Sequence, residues 1–157
     1  MGESGKAVFK GRYDHAVDAK GRASLPSRFR EVIAGGADDR VVLTCALDAA
    51  HPHLDVYPIA RWREFEEKLA AKPMFDASVT MLKRLYVANA VECPIDSHGR
   101  ILIPPQHREF AHIEKDAVWL GMNRIVELWQ PDEWRRAEAE ALSRVEDVQQ
   151  HLAGFDL

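Results

Sequence analysis

Apolar and polar positions along this chain fall into short runs, and the runs occur in the same order twice. Residues 12–17 mix aromatic and β-branched residues with polar ones and predict a strand; residues 22–25 predict a shorter one. Residues 26–33 predict a helix that is apolar at Phe29, Val32 and Ile33 and ends at Gly35-Gly36. Residues 40–45 are almost continuously apolar, as in a strand buried on both faces, and residues 53–57 alternate as a half-buried strand that Pro58 stops. Two helices are predicted next. Residues 59–71 place Trp62, Phe65 and Leu69 on one side, and residues 74–89 align Val79, Leu82, Leu85 and Tyr86. The first order then returns, with strands over 91–95 and 100–103, a helix over 104–110, and strands over 117–121 and 125–129. From Pro131 one long helix is expected, carrying Trp134, Ala137, Ala141, Val145, Val148 and Leu152 at helical spacing.

The repetition is sharpest where residues 17–30 align without a gap on residues 95–108. Asp18, Gly21, Arg22, Pro26 and Arg30 recur as Asp96, Gly99, Arg100, Pro104 and Arg108, while Lys20 is replaced by His98. These residues shape a turn. The Asp side chain accepts hydrogen bonds from backbone N–H groups just ahead of it, and Gly supplies positive φ at little steric cost. The Arg leaves the turn at the base of the next strand, and Pro then occupies a first helical turn that tolerates a missing N–H. One turn thus presents a fixed cation, twice. The pattern predicts an α+β fold of two pseudo-symmetric, β-rich halves, each with a short helix and a longer trailing one. The expected divisions are a flexible start over 1–7, a first domain over 8–60, a helical connector over 61–88, a second domain over 89–132, and a C-terminal helix and tail over 133–157.

With 46% hydrophobic and 29% charged residues in 157, the composition is that of a globular chain able to bury one ordinary core or two small ones. The longest apolar runs are far shorter than the about 20 residues a membrane span requires. Met1 to Lys6 form no apolar signal region, which suggests a cytoplasmic protein. The net charge of −4 argues at first against a nucleic-acid partner. Its distribution changes that picture: residues 1–30 hold seven Lys/Arg against three Asp/Glu, and residues 131–157 hold three against seven. A basic face can exist on an acidic protein, and the local field governs binding.

Little in the chain suggests catalysis. Cys45 and Cys93 occupy unrelated places in the two copies and form neither a disulfide framework nor a zinc pattern. Ser24, Ser27 and Ser97 lack a nucleophile-elbow context, and there is no phosphate-binding Gly-rich loop. His51-Pro52-His53 is the best metal candidate, but it reads as a solvated loop, because two such His need further ligands and no Cys or acidic cluster adjoins them. Neither enzyme activity, nor a metal, cofactor or small-molecule substrate, is expected. The duplicated turn has two readings: punctuation between strands, or a pair of β-ribbons whose Arg enter a major groove and bond guanine while Lys20 meets phosphate.

Phe9-Lys10-Gly11, the Asp18-Ala19-Lys20-Gly21-Arg22 and Asp96-Ser97-His98-Gly99-Arg100 pair, the Leu25-Pro26 and Ile103-Pro104 that follow, and Glu92-Cys93 together resemble the MraZ family of bacterial transcriptional regulators. The resemblance spans Val8 to about Leu152. It implies halves of the AbrB-like, swapped-hairpin type, in which strands of both copies pair, share one core and do not fold separately. It implies double-stranded DNA as partner, contacted through Asp18, Lys20, Gly21, Arg22, Asp96, His98, Gly99 and Arg100. Arg22 and Arg100 make the contacts, and Asp18 and Asp96 shape the turns. The family further implies a ring-shaped homo-oligomer on direct repeats in the promoter of the division and cell wall gene cluster, including its own gene, within the cytoplasm at the nucleoid. The alternative is an AbrB-like, antitoxin-type module that binds a partner protein, for which the apolar end Leu152-Ala153-Gly154-Phe155-Asp156-Leu157 is the candidate surface. The sequence departs from the family in about seven extra residues before Phe9 and in His98, which removes a full charge from the second turn near neutral pH.

Overall fold

The first strand of each copy leaves its own half and pairs with the other. In the computed structural model, which describes residues 8–35 and 39–157, β1 (Arg12–Ala16) runs antiparallel to β7 (Asp116–Met122), with Tyr13 opposite Trp119. β5 (Val91–Cys93) makes the reciprocal exchange onto β3 (Val41–Cys45), with Val91 opposite Leu43. β3 pairs with β4 (Leu54–Pro58), β7 with β8 (Ile125–Trp129), and β4 with β8. The sheet order β1-β7-β8-β4-β3-β5 therefore reads the same from either end when the copies are interchanged. A pseudo-two-fold axis passes between β4 and β8, where Asp55 lies opposite Glu127.

A separate two-stranded ribbon carries the duplicated turns. β2 (Arg22–Ser24) and β6 (Arg100–Leu102) run antiparallel, with Ala23 opposite Ile101. Their inner residues Ala23 and Ile101 are buried, so the odd register of the ribbon anchors it while Arg22, Ser24, Arg100 and Leu102 alternate outward.

One core is filled from both copies. α1 (Ser27–Ala34) delivers Phe29 and Ile33, and the Phe29 ring meets Phe9, Tyr13 and Trp119 edge-on. Leu43, Ile101, Ile103 and Leu128 complete the same cluster. α4 (Pro105–Ala111) is the second copy's counterpart of α1, but it buries His107 where α1 buries Phe29, and the His107 Nε2 lies 2.7 Å from the Asn89 carbonyl oxygen. On the opposite sheet face, α2 (Ile59–Ala70) packs Ile59 and Trp62 on Val42 and Tyr86.

Three expectations change. The connector's second helix begins at Ala77 rather than at 74, because the Asp76 side chain caps the Val79 N–H and leaves Met74 and Phe75 exposed. After α3 (Ala77–Leu82) the chain continues as a π-helical turn over Lys83–Val87, and the wider turn buries Tyr86 while Leu85 faces solvent. The expected apolar alignment of Leu85 with Tyr86 is thus broken. The long C-terminal helix is two helices, α5 (Pro131–Ser143) and α6 (Val145–Leu152), separated at Arg144, whose φ of −119° and ψ of 16° are not helical. Trp134 and Ala137 pack on Val118, Leu120 and Trp129, but from Ala141 to His151 every residue is exposed, Leu142, Val145 and Val148 among them. The expected flexible start over 1–7, and Gly36 of the predicted helix end, lie outside the described residues. Among the described residues no helix is long and apolar enough to cross a membrane.

Candidate nucleic-acid interface

The first turn is built by one carboxylate. Asp18 Oδ1 accepts the backbone N–H groups of Lys20 and Arg22, both at 2.9 Å, and Asp18 Oδ2 accepts the Arg22 Nε–H at 2.8 Å. The backbone closes across it through Gly21 N–H to the Asp18 carbonyl at 2.9 Å and Asp18 N–H to the Arg22 carbonyl at 3.0 Å. The second turn reproduces the set: Asp96 Oδ1 accepts from His98 and Arg100 at 2.8 and 2.9 Å, and Asp96 Oδ2 accepts Arg100 Nε–H at 2.9 Å. Gly21 and Gly99 have φ of +86° and +78°, the left-handed region the Asp-x-x-Gly pattern requires.

The electrostatics hold both turns in their charged form. The Arg100 backbone N–H is the main donor holding the Asp96 carboxyl at about 2, and with the His98 N–H and the Arg100 side chain it outweighs the desolvation that pushes the other way. Asp18 is lowered in the same way, chiefly by the Arg22 backbone N–H. Each guanidinium is gripped by its Nε edge, which fixes its plane and leaves the Nη edge of Arg22 without another partner among the described residues. Arg100 Nη1 lies 4.0 Å from Asp18 Oδ2, so the two cations converge on one outer face of the ribbon. Lys20 and His98 stand exposed at the turn tips.

Two residues belong with this site although they were not among the expected contacts. A Cβ at Gly21 would come within 2.6 Å of Arg108 Cζ, and one at Gly99 would meet the Arg30 guanidinium. Each copy's last matched Arg therefore lies over the other copy's turn. Arg108 is further fixed by its Nε–H to the Ile103 carbonyl at 3.0 Å. The signal was in the repeat, since Arg30 and Arg108 align, but only the strand exchange says whose turn each one covers.

The His51-Pro52-His53 segment is not the solvated loop the sequence suggested. His53 is only 5% exposed, and its ring stacks on Trp129 with centroids 3.9 Å apart and 7° between planes. Its acidic neighbours are Asp55, two residues on along β4, and Glu127, supplied across the sheet by β8.

A family profile described as "MraZ protein, putative antitoxin-like" matches residues 8–85 and again residues 86–155. The chain belongs to the MraZ family. The MraZ profile's two matches divide the chain between the two copies of the turn, in agreement with the duplication. A protein of Pelotomaculum thermopropionicum named Transcriptional regulator MraZ is 37% identical over 150 residues, covering 96% of this chain and 99% of its own. One of Heliobacterium modesticaldum with the same name is 39% identical over 96% of this chain and 100% of its own. A third such MraZ, from Marinomonas sp. (strain MWYL1), is 38% identical over 90% of this chain and 94% of its own. These relatives are named as regulators of transcription and not as enzymes.

Proposed function

We propose that this protein is a sequence-specific DNA-binding regulator of transcription, and that the β2–β6 ribbon is its reading surface. The observation that carries the reading is the pair Arg22 and Arg100, held by Asp18 and Asp96 at 2.8 and 2.9 Å on one outer ribbon face. A guanidinium fixed by a carboxylate has lost its rotamer freedom before binding, so less is lost on meeting guanine O6 and N7, and that of Arg22 is open at its Nη edge. Lys20, Arg30 and Arg108 supply positive charge for the flanking phosphates, and His98 stands where the second turn lacks Lys. Gly21 and Gly99 shape the turns and leave room for the Arg108 and Arg30 side chains that lie over them.

The target, by family resemblance, is a set of direct repeats in the promoter of the division and cell wall gene cluster, including the protein's own gene. The protein would act there in the cytoplasm, at the nucleoid, as a ring-shaped homo-oligomer. Several weak ribbon contacts on one ring gain affinity through effective concentration, which offsets the net charge of −4. The second reading, an antitoxin-type module that binds a partner protein, is favoured by the exposed apolar side chains of Leu142, Val145, Val148 and Phe155.

The test is binding to the DNA upstream of the protein's own gene, with competitor DNA present, for the wild type and the Arg22→Ala/Arg100→Ala double variant. Competitor-resistant binding that the double variant loses supports the ribbon as the reading element. A folded wild type that binds this DNA no better than random DNA removes the regulator reading and leaves the partner-protein one.

A further inference from the structure

Asp55 and Glu127 are directly opposite each other on the central strand pair, and two like charges at such a position repel unless something positive lies between them. His53 Nε2 points into the gap, 3.3 Å from Glu127 Oε2 and 3.7 Å from Asp55 Oδ1. The three atoms all lie within 4.8 Å of one another. We propose that His53 Nε2, Asp55 Oδ1 and Glu127 Oε2 form a binding site for a divalent transition-metal cation of the zinc or cobalt class, seated on the pseudo-two-fold axis.

The outer bonds are those such a site needs. His53 Nδ1 lies 2.8 Å from the His51 carbonyl, which only accepts, so Nδ1 carries a proton and Nε2 is the nitrogen turned to the gap. Asp55 Oδ2 accepts the Tyr86 hydroxyl at 2.5 Å, and Glu127 Oε1 accepts the Trp129 indole N–H at 2.9 Å. Every candidate ligand is thus oriented by a bond from its other polar atom, the arrangement that fixes ligands around a metal. The stack of Trp129 on His53 locks the ring's plane. Metal–ligand bonds of about 2.0–2.2 Å put tetrahedral ligand atoms roughly 3.4 Å apart, close to the two His53 distances. One nitrogen and two carboxylate oxygens suit zinc, cobalt or manganese better than calcium, which takes more oxygens. A cleft lined by Ala46, Leu47, Asp48 and Leu82 gives entry from solvent and leaves a fourth position for water.

The π-helical turn explains the placement of Tyr86: it carries the hydroxyl to Asp55, and the Tyr57 hydroxyl, 2.7 Å from that of Tyr86, extends the chain of bonds. One ligand residue comes from β8 and two from β4 and its leading edge, so the cation would tie the two copies at their seam.

Chelator-treated full-length protein titrated with Co²⁺ should develop visible absorption that saturates at one ion per chain, and Zn²⁺ should displace it. The isosteric Asp55→Asn/Glu127→Gln variant should bind at least roughly tenfold more weakly, and Tyr86→Phe should weaken binding with the site's shape kept. His112→Gln, an exposed histidine outside the site, should bind as the wild type does. No saturable binding by the wild type would overturn the proposal and leave a proton on His53 as the positive charge between the carboxylates. Equal binding by the wild type and the folded double variant would overturn it as well, assigning the ion to surface histidines.

Discussion

The Arg108 guanidinium lies against Gly21, close enough that a methyl group on that glycine would fall within 2.6 Å of Arg108 Cζ. Gly21 also has φ of +86°. Gly21→Ala should therefore destabilise the protein by about 1–2 kcal/mol from backbone strain alone, and by more if the guanidinium is displaced. Gly35→Ala is the control: its φ of −70° suits any residue and its nearest added contact is 3.5 Å, so it should stabilise by about 0.4–1 kcal/mol. Urea midpoints of the two variants should move in opposite directions.

Asp96 makes acid stability predictable in sign. Its folded value, about 2, lies below the ordinary 3.8, so its contribution is present above 3.8 and is lost as pH falls toward about 2. Urea midpoints of the wild type and Asp96→Asn should differ at neutral pH and draw together across that window. A difference that stays constant down to about pH 2 would show that the carboxylate is not stabilised by its turn.

Arg22 and Arg100 occupy equivalent turns, but Lys20 accompanies one and His98 the other. Arg22→Ala should accordingly cost more DNA affinity than Arg100→Ala in titrations at one fixed salt concentration; equal losses would refute this. An Arg that grips phosphate should change the log-log salt slope by roughly one unit, whereas one that reads a base should cost about 1–3 kcal/mol and relax specificity.

Phe29 is 1% exposed and touches the rings of Phe9 and Tyr13 from its own copy and of Trp119 from the other. Phe29→Ala should cost about 3–5 kcal/mol in chemical denaturation. The loss should appear in one transition common to both halves, since the core cluster draws on both. A fragment of residues 8–85 lacks the β7 partner of β1 and the β6 partner of β2, and it should show no cooperative unfolding by circular dichroism. Cooperative folding of that fragment would refute the shared core.

The turns were legible in the sequence because every bond that makes them is local. The side-chain hydrogen bonds of Asp18 go to Lys20 and Arg22, and those of Asp96 to His98 and Arg100, so Asp-x-x-Gly-Arg carries its own geometry. The strands were legible for a similar reason, since burial on one or both faces leaves its period in the residues, as at Val41–Cys45. Helix ends and interruptions were less so. The π-helical turn at Lys83–Val87 accompanies a hydrogen bond from Tyr86 to the distant Asp55 carboxylate, and the break at Arg144 comes where the helix has no buried residue. The repeat marked Arg30 and Arg108 as a matched pair, yet it did not say that each covers the opposite turn. His53 looked like a loop residue because Glu127 and Trp129, which bury it, belong to the other copy. By itself, then, the sequence determined the elements, the duplication and the two Asp-held turns, whose interactions lie within a few residues. Only the tertiary structure decided which strands exchange, and hence the shared core, the Arg over each glycine and the carboxylates around His53, because these contacts depend on antiparallel register between residues distant along the chain.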